Sequence, residues 1–209
     1  MTEIDISQHV FKYPGLTSIV SNAIEFFEST PVAEFPPQTR LAKCGVYAIY
    51  YCGKFELYGK LGAANERACN FPIYVGKAVP SGYRTARSIE AGKNNLGGRL
   101  NQHSRSIERT ANLFVSDFKC RFMILDGAET DLIVPVEATL IRKYLPIWNH
   151  VIAGFGIHDP GGNRDKQKTS EWDSLHPGRA FLGRMVGTSH NPDEVAAKVK
   201  NHLDKLTLS

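Results

Sequence analysis

Apolar residues along the chain change their period several times, and each change marks an element. Ile19, Ile24 and Phe27 recur at helical spacing and predict a short amphipathic helix over 18–27. The prolines after it, Pro31, Pro36 and Pro37, read as a linker. GVYAIYY at 45–51, rich in aromatic and β-branched residues and bounded by Gly45 and Gly53, predicts a strand, and PIYVGKA at 72–78 predicts a second. The stretch between them, 52–71, is polar and glycine-containing and is expected to be a loop or ribbon outside the core. From Asn95, a suitable N-cap, Leu96, Leu100 and Ile107 resume helical spacing. FKCRFMILD at 118–126 predicts a third strand whose alternation fades into a buried run over Met123–Leu125. Pro135 suits the first turn of a helix that Pro146 should end near Leu145. The order β, β, α, β, α predicts an α/β protein, a small sheet covered by helices.

Beyond Trp148 the texture changes to a glycine-rich stretch, 154–187, that also carries Arg164, Lys166, Lys168, Arg179 and Arg184. A loop region this long is expected to be functional or disordered. The chain closes on an amphipathic helix through Val195, Val199, Leu203 and Leu206, capped by Asn191 or Asp193. No internal repeat is present.

Composition narrows the class but not the activity. With 209 residues, 42% hydrophobic and 22% charged, the chain is neither disordered nor fibrous, and it is long enough to bury a core without disulfides or metals. No run approaches 18 apolar residues, and the N-terminus has acidic residues where a signal peptide has basic ones, so a cytoplasmic protein with no membrane partner is expected. The four cysteines, spaced 8, 17 and 51 apart, match neither a metal knuckle nor a disulfide ladder and read as reduced thiols. A net charge of +4 permits an anionic partner without requiring one.

The informative residues are polar ones on faces that should be apolar. Glu137 shares its stripe with Leu140, Ile141 and Tyr144, so a carboxylate turns toward the sheet and needs a basic partner, a shifted pKa or a bound cation. Arg99 and His103 lie on the stripe of Leu96, Leu100 and Ile107. Alone, each would be satisfied structurally; together, on helices that cover one sheet, they point to a site. Tyr47 and Tyr74 add hydroxyls from the strands, with Lys77 just downstream of Tyr74, and Gly45 and Gly76 allow close backbone approach.

In order and residue type, GVY at 45–47, YVG at 74–76 with Lys77, the RxxxH of Arg99 and His103, Glu137 within a helix and Asn149 after it resemble the GIY-YIG nuclease domain over residues 40–150. The flanks are similar to type II restriction endonucleases of this superfamily that cut a GC-rich palindrome, CCGCGG. The spacing of 27 positions from Tyr47 to Tyr74 is longer than the family hairpin, making 52–71 an insertion and a candidate DNA-contacting element.

The resemblance implies a mainly antiparallel sheet flanked by helices. It divides the chain into an N-terminal arm (1–39), a nuclease core (40–150) and a basic C-terminal region (151–209) for DNA contact or dimerisation. It also implies metal-dependent hydrolysis of double-stranded DNA, leaving 5′-phosphate and 3′-hydroxyl ends. Glu137 would hold one divalent cation, Mg²⁺ or Mn²⁺ in its place, since a hard cation keeps most of its waters and takes one or two carboxylates. Arg99 would clamp the scissile phosphate. Tyr47 would take the proton of the attacking water, with Tyr74 near the phosphate. A free tyrosine titrates near about 10 and needs help at neutral pH, from Lys77 and the metal-bound water. His103 would orient water or share proton transfer, and Asn149 would hold a phosphate or Glu137.

Guanine readers and phosphate contacts are expected among Arg84, Arg87, Arg164, Lys166, Lys168, Arg179 and Arg184. A palindromic site implies a homodimer, and a restriction enzyme implies a bacterial host with a cognate DNA methyltransferase. The competing expectations are a homing or repair endonuclease of the same superfamily, and a catalytically inactive DNA-binding module.

Overall fold

The computed structural model describes residues 4–83, 95–156, 168–184 and 187–208, without the side chain of Arg184. Four strands form one antiparallel sheet in the order β1-β4-β2-β3: β1 (Ala33–Glu34), β2 (Gly45–Tyr51), β3 (Pro72–Ala78) and β4 (Phe118–Ile124). The central strand β2 is buried on both faces, and its seven residues divide by parity. Tyr47, Ile49 and Tyr51 face a core shared with α3 (Leu96–Glu108), Trp148 and α6 (Pro192–Lys205), whereas Val46, Ala48 and Tyr50 face α1 (Gly15–Ser29) and α4 (Ile133–Tyr144). The sheet is therefore sandwiched, with α3 and α4 on opposite faces.

Strands β2 and β3 match the expected bounds, and α3 begins where Asn95 accepts a hydrogen bond from the Gly98 N–H at 2.8 Å. Helix α4 ends at Leu145, which adopts a left-handed conformation (φ 45°) ahead of Pro146, and Asn191 caps α6. Several expectations are corrected. Helix α1 runs longer than 18–27, and its buried face is Val20, Ile24 and Phe27, with Ile19 exposed. The proline linker holds strand β1, paired with Lys119 and Cys120 of β4. No buried run closes strand β4: Ile124 is exposed between buried Met123 and Leu125.

The largest correction concerns 52–71, which is not an external loop. It folds as a 3-10 turn (Glu56–Tyr58) and helix α2 (Gly59–Asn65) that bury Leu57, Tyr58 and Leu61 in the main core. Asn65 locks the insert to the sheet, its amide donating to the carbonyls of Tyr51 (3.0 Å) and Phe71 (2.9 Å) and accepting from the Phe71 N–H (3.0 Å). Three well-placed apolar residues outweigh the segment's polar average because their area lies on one side of a single turn of chain.

The segment after 154 also contains ordered structure, a short helix α5 (Glu171–Leu175) N-capped by Ser170. Trp172 and His176 bring it into the core beside Trp148. His176 is fully buried between Tyr58 Oη (2.7 Å) and Asn112 Oδ1 (2.9 Å), and Trp148 Nε1 donates to Tyr58 (3.0 Å).

Candidate active site

Strand β3 lies at the edge of the sheet, so side chains from both faces can meet around it. Cross-strand register sets which do. Tyr47 lies opposite Gly76 and Ile49 opposite Tyr74, placing Tyr47 and Tyr74 on the α3 face; Val46 lies opposite Lys77, placing Lys77 on the α4 face. On α3, Arg99 and His103 lie four residues apart; on α4, Glu137 follows buried Val136 and is itself mostly covered, with 15% of its side chain exposed. A cleft of about 290 Å³ collects Tyr74, Lys77, Ala78, Val79, Arg99 and Glu137. Its polar lining comes from one helix on each face of the sheet and from the strand between them.

Beneath the cleft is a buried cluster. Tyr47 is completely buried, and its hydroxyl is 2.7 Å from Nε2 of His103, itself 1% exposed. Gly76 permits this arrangement, since a Cβ there would lie 2.5 Å from Cζ and Oη of Tyr47. Gly45, at φ 153°, is equally constrained: its Cβ would meet the Met123 carbonyl oxygen at 1.9 Å. Burial drives the Tyr47 hydroxyl far above its ordinary range; the Tyr74 hydroxyl also raises it, while the Arg99 guanidinium pulls the other way. Tyr74 is likewise raised, by burial first and opposed by Arg99. Both tyrosines are thus neutral at physiological pH.

Lys77 and Glu137 form an ion pair at the cleft wall. Lys77 is therefore not the group beside Tyr47; the groups acting on that hydroxyl are His103, Tyr74, Arg99 and, by its charge, Glu137. Arg99 Nη1 also reaches Gln102 Oε1 at 3.2 Å. Among the described residues no cluster of three or more His, Cys, Asp or Glu could hold a metal. One mostly covered carboxylate at the wall of an open polar cleft does not fit a caged ion. It fits a hard cation that keeps most of its waters, for which Glu137 would be the protein ligand.

Asn149 does not touch Glu137. Its amide accepts from the Val75 N–H (2.7 Å) and donates to the Val75 carbonyl (2.8 Å), mimicking a strand partner on the open edge of β3 and anchoring the π-helical turn Ile147–Val151. Two residues not singled out in the sequence complete the cluster. Phe155 stacks on His103 (centroids 4.6 Å apart, planes at 17°) and meets Tyr74 edge-on (4.9 Å, 76°). Gly156 passes so close that a Cβ would lie 2.7 Å from the Tyr74 hydroxyl. The signal was an aromatic between two glycines, GFG at 154–156, within a stretch whose basic residues drew the attention.

Of the residues proposed to contact DNA, Lys168 is exposed. Arg179 is 3% exposed and turned inward: its guanidinium grips Asp173 bidentately, donates to the Gly154 carbonyl (3.1 Å) and lies over Trp172 and Phe181. In this structure it is a core residue that holds the GFG segment and presents no face to solvent. Arg84, Arg87, Arg164, Lys166 and the side chain of Arg184 lie outside what the structure describes.

An antiparallel sheet bearing Tyr47 and Tyr74 on adjacent strands, Arg99 and His103 on the following helix and Glu137 on the next defines the GIY-YIG class of nuclease fold. The match is also more specific. The model of the Eco29kI GIY-YIG domain, a restriction endonuclease family, matches residues 39–203, and the chain belongs to that family. No curated protein matches it. The chain is thus a nuclease of restriction-enzyme type acting on DNA, and among the described residues no helix is long and apolar enough to cross a membrane.

Proposed function

We propose that this nuclease is a type II restriction endonuclease that hydrolyses double-stranded DNA at a GC-rich palindrome, CCGCGG, leaving 5′-phosphate and 3′-hydroxyl ends. The observation that carries the reading is the meeting of Arg99 and Glu137 across the edge strand in one cleft, directly above the hydrogen-bonded Tyr47–His103 pair. Arg99 binds the scissile phosphate and opposes the charge that grows on it. A water between Tyr47 and the phosphorus gives its proton to Tyr47 as Tyr47 gives its own to His103, which spares the buried site a free phenolate. Tyr74, also neutral, is placed to donate to a phosphate oxygen. Glu137 would hold a divalent cation, Mg²⁺ or Mn²⁺, which would supply Lewis-acid stabilisation of charge at the phosphodiester.

The protein acts as a homodimer, one protomer per half-site, and alongside a DNA methyltransferase that protects the host's own sites in the bacterial cytoplasm. The exposed apolar side chains of the N-terminal arm, among them Ile6, Phe11 and Leu16, favour a second copy as their cover. Digestion of plasmid DNA of known sequence with Mg²⁺, followed by sequencing of the fragment ends, tests the reading. Discrete fragments ending at CCGCGG are expected. A smear would replace it with a non-specific nuclease, and ends at a different fixed sequence would overturn the site assignment.

A further inference from the structure

The nuclease site leaves one pair of reactive groups unused. Cys52 directly follows strand β2, which carries Tyr47, and Cys69 shortly precedes β3, which carries Tyr74; together they bracket the insert. All four cysteines are free thiols, yet Cys52 Sγ and Cys69 Sγ lie 3.9 Å apart. The pairing of Tyr50 with Pro72 beyond the β2–β3 irregularity brings these two chain ends alongside each other. A disulfide needs the sulfurs at about 2.05 Å, so closing the gap takes a movement of about 2 Å shared between two side chains.

The two sulfurs differ in access and character. Cys52 is partly exposed and borders two surface clefts, of about 480 and 250 Å³, both also lined by Gly53 and Lys54. Cys69 is more covered, and its thiol is lowered from its ordinary value, first by its hydrogen bond with Cys52 and then, against burial, by the nearby Arg121 and Lys119. The remaining two thiols are inert by comparison. Cys120 is fully buried, donates to the Glu34 carbonyl at 3.4 Å and is pushed up to about 12 by burial, and Cys44 is raised by burial as well.

We propose that Cys52 and Cys69 form a reversible dithiol–disulfide modification site whose co-reactant is a small hydroperoxide. The Cys69 thiolate attacks a peroxide oxygen, the O–O bond breaks, and Cys69 becomes a sulfenic acid while the leaving hydroxide takes up a proton as water. Cys52 sulfur then attacks the sulfenic sulfur; the S–S bond forms, the S–O bond breaks, and the hydroxyl leaves as a second water with the Cys52 proton. Two thiols lose two electrons and one hydrogen peroxide is reduced to two waters. The bond ties the chain ends on either side of the insert, between the strands that carry both active-site tyrosines.

The test uses the full chain and does not depend on its nuclease activity. After treatment with hydrogen peroxide, thiols are counted in denaturant, intact mass is recorded and tryptic peptides are mapped. The expected result is a fall from four free thiols to two, a mass loss of about 2 Da, a cross-linked peptide joining Cys52 to Cys69, and full reversal by dithiothreitol. Cys52→Ser should instead accumulate a sulfenic acid on Cys69 that a dimedone probe captures. Four thiols persisting at peroxide levels that oxidise free cysteine, stepwise oxygen addition without a cross-link, or a cross-link through Cys44 or Cys120 would overturn the proposal.

Discussion

Gly76→Ala tests the geometry of the buried cluster with one added methyl group. That carbon would sit 2.5 Å from Cζ and Oη of Tyr47. Comfortable carbon contacts begin near about 3.5 Å, so the ring must give way by about 1 Å. Tyr47 has no room for this: it is fully buried, with Tyr74 and His103 rings 6.3 and 5.6 Å from its own. The displacement carries its hydroxyl off His103 Nε2, now at 2.7 Å. A misplacement of about 1 Å at a reacting group costs on the order of 10²-fold, equivalent to about 2.7 kcal/mol of barrier. Overpacking costs about 1–3 kcal/mol of stability, which leaves a typical domain folded. The assay is the rate of plasmid linearisation at saturating DNA, with a urea melt of the same preparation. Cleavage by folded Gly76→Ala within about threefold of the parent would refute the placement of Tyr47 in the reaction.

Phe155→Leu keeps an apolar side chain under His103 but loses the stack and the edge contact to Tyr74. At about 0.5–1.5 kcal/mol for such aromatic pairs, turnover should fall about three- to tenfold with KM for DNA unchanged, and an unaltered kcat would remove Phe155 as a positioning residue. Asp173→Asn should destabilise the protein by about 3–5 kcal/mol in urea unfolding, because the Arg179 guanidinium is left buried without its countercharge; a loss below about 1 kcal/mol would contradict the buried pair. His176 is lowered to about 3 by burial, against an ordinary 6.5. The unfolded chain therefore binds its proton first, and stability falls as pH drops from 6.5 toward 3. Unfolding at pH 5 should show a deficit of about 2 kcal/mol relative to pH 7 that His176→Gln lacks.

Much of the cluster is legible from sequence because three of its members break the local rule. Arg99, His103 and Glu137 sit where the period asks for an apolar residue, and Tyr47 and Tyr74, good strand formers in themselves, add hydroxyls beside glycines. The sequence did not reveal that α3 and α4 cover opposite faces, since apolar periodicity reports that a face is buried and not which side of a sheet it meets. The register around β3 decides that. The insert 52–71 was misjudged for a related reason: its average polarity hid Leu57, Tyr58 and Leu61, which fill one side of a short turn and helix. Arg179 failed in the opposite direction, as a charge in a glycine-rich stretch whose partner, Asp173, lies six residues away on α5. Asn149 was recognised but not its partner, because an amide bonded to an edge strand leaves no sequence trace beyond the asparagine itself.

The central claim is that the cleft of Arg99, Glu137 and Tyr74 above Tyr47 and His103 hydrolyses DNA. A paired measurement on the parent protein and Glu137→Gln tests it most directly, with plasmid digestion in Mg²⁺ and a gel shift of a duplex containing CCGCGG run side by side. Cleavage by the parent, loss of at least about 10³-fold in Glu137→Gln, and an unchanged gel shift are predicted. Cleavage by folded Glu137→Gln at the parent's rate, or no cleavage by the parent itself, would contradict the account.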